Sequence, residues 1–356
     1  MPRLSRIEAQ ERNRARVLAA ARAEFAERGY REAKVDAIAE RAELTRGAVY
    51  SNFPGKRALY FAVLADLAER APGRPHAAPG RTSAEAVGAL ARAWVAGLPD
   101  ELGAHLLAEV AADVSVRRAF AQLLQLDALL LGLALERLDP PASPPGAPPA
   151  RRVRLAETIL TTLHGATALS AAAPAFGEPF DIVSACERLA GLPMNDWWSP
   201  PREAAPVRAV GEPWRAPEVV DLVTGAAFQP GDGVVVVLGL DRLDAVEEAV
   251  RLTDQVTLVL VTSQPDELLP LSRLVITQLA GCLRQAFPRQ TWPRLRVVGE
   301  PSLAAAAGVS AAGDGTEVAV RVVNGRVVAR AEGFHACHTI AANSSRSTNA
   351  ALSTRN

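Results

Sequence analysis

The 356-residue sequence predicts a multidomain chain, all-α over residues 1–195 and α/β over residues 217–340. Two observations carry this. Up to Leu192 apolar residues recur every three to four positions, whereas from Val219 onward they come in short unbroken runs such as VVVVLG, the pattern of strands covered on both faces. Between the two regimes, Met194 to Ala216 is rich in Pro and Trp and breaks the helical period, as a linker does. A chain this long is expected to divide into two or three compact units.

Charge narrows the reading only locally. The formal net charge is zero, so nothing global favours a polyanionic partner, but residues 1–70 hold 14 Lys+Arg against 10 Asp+Glu, leaving 25 against 29 for the rest. Cys186, Cys282 and Cys337 form no CxxC or zinc spacing, so neither a metal nor a disulfide framework is expected. No long uncharged apolar run or signal-type segment stands out, and Met1 to Arg16 is highly charged, so a cytoplasmic protein without a membrane partner is expected.

In chain order, Val17, Leu18, Ala21 and Phe25 mark one face of a helix over Arg12 to Arg28, with Gly29 as its stop. Val35, Ile38, Ala39 and Ala42 mark a second, shorter helix. After a break at Glu43 and Leu44, Thr45 caps a third that carries Val49, Tyr50 and Phe53 before Pro54-Gly55. Lys56 opens a fourth, with Leu59, Tyr60, Val63, Leu64 and Leu67 on one side. Four helices with a tight turn between the second and third follow the helix-turn-helix plan.

The segments AEFAERGY (Ala23 to Tyr30), DAIAERAEL (Asp36 to Leu44) and TRGAVYSNFPGKRALY (Thr45 to Tyr60) resemble the tetracycline-repressor (TetR) family of bacterial transcriptional regulators. The resemblance implies double-stranded DNA with a palindromic operator as partner, pairing of two copies, and release by a small effector. A short helix in the major groove presents its N-terminal residues to base edges and its free amides to phosphate. Lys34, Thr45, Arg46, Gly47, Tyr50, Ser51, Asn52 and Lys56 are the expected DNA-binding residues, Tyr50 and Lys56 toward phosphate as the resemblance implies; Phe53 is expected in the core.

Two positions depart from the family pattern. Glu43 stands where the family usually has glycine, so either it adopts a left-handed conformation at a cost of about 1 kcal/mol or the turn is wider. Lys34 stands where a small hydroxyl residue commonly caps the second helix; a cation there opposes the helix dipole and suits a nearby phosphate. Lys34 and Lys56 are the only lysines, and two readings stay open: a clamp on the DNA backbone, or two surface lysines in a lysine-poor composition.

Residues 1–70 are thus the expected helix-turn-helix domain and 71–195 a helical ligand-binding and dimerisation domain. The latter has a loop at PGRPHAAPG, helices over Ser83 to Leu98, Leu102 to Val114 and Val116 to Leu138, a proline-rich loop from Asp139 to Ala150, and helices over Arg151 to Ala172 and Asp181 to Leu192. The resemblance places the dimer interface on the last two, at Leu155, Ile159, Leu163, Ala166, Ile182, Cys186 and Leu189, and an effector pocket among the earlier ones. Trp94, His105, Phe120 and His164 are the candidates to line it, and the abundance of Leu and Ala favours an apolar effector.

After a linker at 196–216, strands at Val219 to Val223, Gly233 to Leu240, Val256 to Val261 and Leu295 to Val298 alternate with helices at Leu243 to Thr253, Leu268 to Phe287 and Ser302 to Gly308. A hairpin of Glu317 to Val323 and Val327 to Ala331 turns at Asn324-Gly325. The stretch from Gly299 through VAVRVVNGRVVARAEG looks like the C-terminal half of a thioredoxin-like domain. The expected active-site loop, TSQPD at Thr262 to Asp266, has no cysteine, and no GxGxxG follows the valine strand, so no redox catalysis, dinucleotide site or other cofactor is expected. Residues 341–356 read as a polar disordered tail. The expectation is therefore a DNA-binding, ligand-released repressor with a non-catalytic thioredoxin-like domain; the alternatives left open for that domain are a thiol oxidoreductase and a protein-interaction module.

Overall fold

The computed structural model describes residues 6–71, 78–98, 102–143, 146 and 148–353, and side chains over 8–344 of these. Four helices form the head: α1 (Arg6–Glu32), α2 (Val35–Arg41), α3 (Arg46–Tyr50) and α4 (Lys56–Arg70). Gly29 takes φ 71° and breaks α1 three residues before its end, close to the stop expected from its sequence. Five helices follow, α5 (Ser83–Val95), α6 (Leu106–Ala111), α7 (Val114–Leu138), α8 (Val153–Ala172) and α9 (Pro179–Leu189). Most of the loop between α4 and α5, residues 72–77, lies outside the described residues, as do 144, 145 and 147 of the proline-rich tract.

Eight strands and four helices complete the chain: β1 (Val207–Pro213), β2 (Val219–Val220), β3 (Ala227–Phe228), β4 (Gly233–Gly239), α10 (Val246–Val250), β5 (Val256–Val261), α11 (Pro265–Ala286), β6 (Arg296–Val298), α12 (Pro301–Ala306), β7 (Glu317–Val323), β8 (Arg326–Glu332) and α13 (Ala336–Ser353). The six-stranded sheet has the order β1-β8-β7-β4-β5-β6, with β2 and β3 a separate ribbon. β4, β5 and β6 run parallel, and the β7–β8 hairpin adds antiparallel to β4. Its turn is set by two consecutive left-handed residues, Asn324 (φ 50°) and Gly325 (φ 68°), whose amides donate to the Asp232 carboxylate.

Three expectations are corrected. The linker at 196–216 contains strand β1, paired antiparallel with β8, because once β8 forms its outer edge offers unpaired amides and carbonyls that Val207–Pro213 satisfies. The first strand is two residues long, Val219–Val220, because Asp221 turns the chain by accepting from the amides of Val223 and Thr224. The tail expected to be disordered is helical to Ser353: Ala336, Cys337, Ile340 and Ala341 are fully buried, which anchors α13 on the sheet. Residues 354–356 lie outside the described residues.

A single apolar core runs from Val17 in α1 through the helical segment to one face of the sheet, including Val234, Val236, Leu238, Leu258 and Leu260, and ends at Ala341. The opposite face, Val235, Val237, Val259, Val261, Val318 and Val320, packs on Leu303 and Ala304 of α12 and on Val219. Helix α11 joins the parts: it lies against α4, α5 and α7, and β5 backs it from the sheet side. Every residue of α4 from Ala58 to Ala65 is buried, as happens when a helix is covered on opposite sides, here by α1 and α11. α7 is long and apolar enough by composition to cross a membrane, but most of it is buried against α8, α11 and α6.

Charged pairs close the same joints. Arg57 at the start of α4 reaches Glu267 in α11 and, at 3.1 Å, Asp113, the N-cap of α7. Arg273 of α11 grips Glu69 of α4 through two bonds of 2.7 and 2.8 Å. Arg151 spans Asp196 (2.5 Å) and Glu247 of α10 (2.6 Å), and Arg251 meets Glu136 of α7 at 2.5 Å.

Deleting the chain after Pro206 should therefore leave the α11-facing sides of α4, α5 and α7 wet. The expected product aggregates or lacks near-ultraviolet circular dichroism; a monodisperse fragment with a cooperative melt would show that residues 1–206 fold alone.

Candidate nucleic-acid interface

The third helix is only five residues long, and its geometry is set by its ends. Thr45 takes an extended conformation (φ −76°, ψ 154°) and its Oγ1 accepts from the Ala48 amide at 3.2 Å. Ser51 Oγ and Asn52 Nδ2 both donate to the Ala48 carbonyl, at 2.9 and 2.8 Å, and close the C-terminal end. Val49 and Phe53 point inward and are buried, which turns Thr45, Arg46, Gly47, Tyr50 and Ser51 to solvent; Tyr50 keeps 41 % of its surface exposed.

Arg46 lies 5.5 Å from the Tyr50 ring centre and 3.3 Å from Asp36, with both charged side chains largely exposed. Such a pair holds the guanidinium at little cost to its release, so Arg46 is free to exchange Asp36 for a phosphate or base edge.

The two lysines differ. Lys34 is exposed, in extended conformation at the N-cap of α2, and makes no side-chain capping bond. Lys56 donates to the Arg31 carbonyl at 3.0 Å and sits 4.7 Å over the Tyr30 ring, where burial lowers its ammonium pKa. Lys56 thus ties the end of α1 to the start of α4. Glu43 adopts the left-handed conformation at φ 52°, and its carboxylate reaches Arg16 at 2.7 Å, so the turn stays tight without glycine.

Sequence reasoning missed Arg14. Its guanidinium lies 4.4 Å from the Phe53 ring centre and donates to the Asn52 carbonyl at 3.1 Å, holding the exit of α3 on α1. Periodicity places Arg14 on α1 but cannot say what it faces. Behind it, Phe25, Tyr30 and Tyr60 form a ring cluster with centroids 4.4–5.8 Å apart, and the Tyr60 hydroxyl donates to the Leu102 carbonyl.

In the helical segment Trp94, Phe120 and His164 come together: His164 is edge-on to Trp94 at 4.9 Å and 6.4 Å from Phe120, and Trp94 Nε1 donates to Thr167. His105 stands apart, 6.1 Å from Tyr30. Trp94 and Phe120 are core residues, and His164 Nε2 is buried without a partner among the described residues. Burial pushes its imidazole down to about 4. Asp127 of α7 is buried as well, and desolvation drives its carboxyl far above the usual range.

Of the expected dimer-interface residues, Leu155, Ile159, Leu163 and Cys186 are corrected, because each is buried within the single chain, where α8 and α9 pack on α7 and α5. Ala166, Ile182 and Leu189 are half-buried, and the outward apolar side chains are Leu169, Phe176 and Phe180. Periodicity distinguishes an apolar face from a polar one, but does not distinguish a face turned to the chain's own core from one turned to a second copy.

TSQPD closes a strand end. Thr262 Oγ1 donates to Asp314 at 2.5 Å and Ser263 Oγ to its other oxygen; burial alone would raise that carboxyl, but these bonds outweigh it and the pKa is lowered. A Cβ on Gly239 would stand 2.2 Å from the Asp314 carbonyl, so the 313–316 loop lies directly on the end of β4. Cys186 is pushed up to about 11, by burial and then by Glu187, and burial pushes Cys337 well up, so neither is poised as a thiolate.

The head is a helix-turn-helix unit with a solvent-facing reading surface. Residues 17–63 match the family model for bacterial regulatory proteins of the tetR family. Three solved structures are similar over about half of the chain. A TetR transcriptional regulator from Rhodococcus sp. RHA1 is 18 % identical, covering 51 % of this chain and 95 % of its own, with TM-score 0.34. The transcriptional regulator FadR from Bacillus subtilis, in complex with stearoyl-CoA, is 15 % identical over 49 % and 96 %, with TM-score 0.36. The fatty acid degradation regulator FadR from Bacillus halodurans is 16 % identical over 50 % and 97 %, with TM-score 0.30. A search of curated proteins finds no match.

Burial of neutral His164 has a pH signature. Its folded pKa lies below the unfolded one, so the folded state binds fewer protons between about pH 6.5 and 4, and stability falls as pH drops through that window. Urea titrations should show a loss of up to about 3 kcal/mol across it that His164→Leu abolishes; an unchanged slope in the variant would mean that His164 is solvated.

Proposed function

We propose that the protein is a homodimeric regulator that reads a palindromic operator through α3 and acts as a repressor released by a small ligand. The observation that carries this is the outward set Thr45, Arg46, Gly47, Tyr50 and Ser51 on a capped helix whose inner face, Val49 and Phe53, is locked in the core. A five-residue helix touches few base pairs, so pairing of two copies is what gives useful specificity. Leu169, Phe176 and Phe180, exposed at the junction of α8 and α9, supply apolar area for that pairing.

The α/β part is in this reading a non-catalytic thioredoxin-like module. Its strand order β8-β7-β4-β5, with β4 and β5 parallel and the hairpin antiparallel, supports the likeness, and neither strand end that could carry the reactive thiol holds one: Leu240 to Arg242 follow β4 and Thr262 to Asp266 follow β5. The high pKa of Cys186 and Cys337 weighs against a thiol oxidoreductase. Burial of α11 against α4 favours an internal control element over a module that recruits outside proteins.

Selection from random DNA should return a two-fold symmetric site, bound by a species that light scattering weighs as two chains. Recovery of no symmetric sequence would overturn the reading. Lys34→Ala should lower the salt slope of binding by about 1 per subunit. Lys56→Ala should act mainly on the melting temperature, since its ammonium serves Arg31; a slope loss equal to that of Lys34→Ala would restore a symmetric clamp.

A further inference from the structure

A cavity of about 610 Å³ lies between the head and the α/β part, walled by Arg14 of α1, Glu69 of α4, the turn after β2, the first turns of α11, and Gly299 to Pro301 after β6. It is separate from the Trp94–Phe120–His164 cluster. Its charges can be accounted for one by one. Glu69 is paired with Arg273 through two bonds. Asp221 is buried and consumed by the amides of Val223 and Val297 and the Thr224 hydroxyl. Arg14 and Arg284 remain, half-buried, each donating to one main-chain carbonyl, of Asn52 and Val223, and neither in an ion pair among the described residues. Desolvation lowers the pKa of both and outweighs the opposing pull of Asp266 on Arg14 and of Asp221 on Arg284, neither of which reaches ion-pair distance. On the rim Asp266 and Glu300 are exposed and have no side-chain bond among the described residues. Leu222, Leu269 and Pro270 supply an apolar wall.

We propose that this cavity binds a small zwitterion of amino-acid or short-peptide chemistry, its carboxylate taken by Arg14 and Arg284 and its ammonium by Asp266 and Glu300. Two open cations and two open anions around one space match a ligand with both charges and leave a ligand with one charge facing repulsion. The volume lies in the range of small-ligand pockets and leaves room for a short peptide as well as a single amino acid. Binding also has a route to the reading helix. The Arg14 guanidinium that would meet the carboxylate is the one holding the Asn52 carbonyl and covering Phe53, so the ligand competes for the group that fixes the exit of α3. That consequence rests on the DNA-binding reading; occupancy of the cavity does not.

The test uses the full chain, thermal shift and calorimetry, with the free amino acids and a set of dipeptides with free termini as probes, and their N-acetyl and C-amide forms as controls. At least one free form should raise the melting temperature, and blocking either end should weaken its binding at least tenfold. Arg284→Gln should weaken it at least tenfold. Glu300→Gln, on the exposed rim, should weaken the free form and narrow the gap to the N-acetyl form. Stabilisation by no free form, equal binding of blocked forms, or full affinity in both variants would overturn the site. The same ligand should shift operator affinity at least fivefold; binding without such a shift on a chain that still selects an operator would overturn the coupling through Arg14, while a chain that selects no operator refutes the DNA reading and leaves the site standing.

Discussion

Helix α4 has no side left for water between Ala58 and Ala65, and the rest of the molecule is arranged to honour that constraint. α1 covers it from the head and α11 from the α/β part, so the element that opens the head's exit is also the floor on which the third segment rests. A regulator whose α/β part were an appendage would show a polar stripe on α4 and no apolar core continuing from the head into the sheet. Instead one apolar cluster threads all three segments, and cooperativity is expected to span them.

Electrostatics sharpen the same joint. Arg57 satisfies Glu267 and Asp113 at once, where α4, α7 and α11 meet, and Asp113 is held at about 2 by the Ser115 hydroxyl and then by Arg57. One guanidinium serving two carboxylates from different segments gains its geometry only when all three are docked. Arg151 and Arg251, each facing two carboxylates, do the same where α7 and the Asp196 segment meet α10.

The head was legible in its sequence because its signals are local: Thr45 as a cap, Pro54-Gly55 as a stop, and the inward spacing of Val49 and Phe53 are all properties of neighbours along the chain. The buried runs of β4 and β5 and the Asn324-Gly325 turn were legible for the same reason. What escaped is set by distant partners. β1 exists because β8 leaves an edge open, α13 is helical because the sheet covers Cys337 and Ile340, and Leu155 and Ile159 face α7 instead of a second chain. On the head, residue identity marked Lys34 and Lys56 as equals; the Arg31 carbonyl and the Tyr30 ring make them different. Arg14 was invisible because nothing in the local pattern of α1 announces the Asn52 carbonyl above it.

The scarcity of lysine has a practical consequence. The only two side-chain amines in 356 residues stand on the head, one bare at the start of α2 and one folded over a tyrosine. Among side chains, amine-directed chemistry therefore reports on this face alone: apart from the α-amine, acylating reagents and lysine-reactive cross-linkers converge on the exposed Lys34. A protein immobilised through Lys34 would present its helical and α/β parts to solution while the exposed face of its head lies against the support.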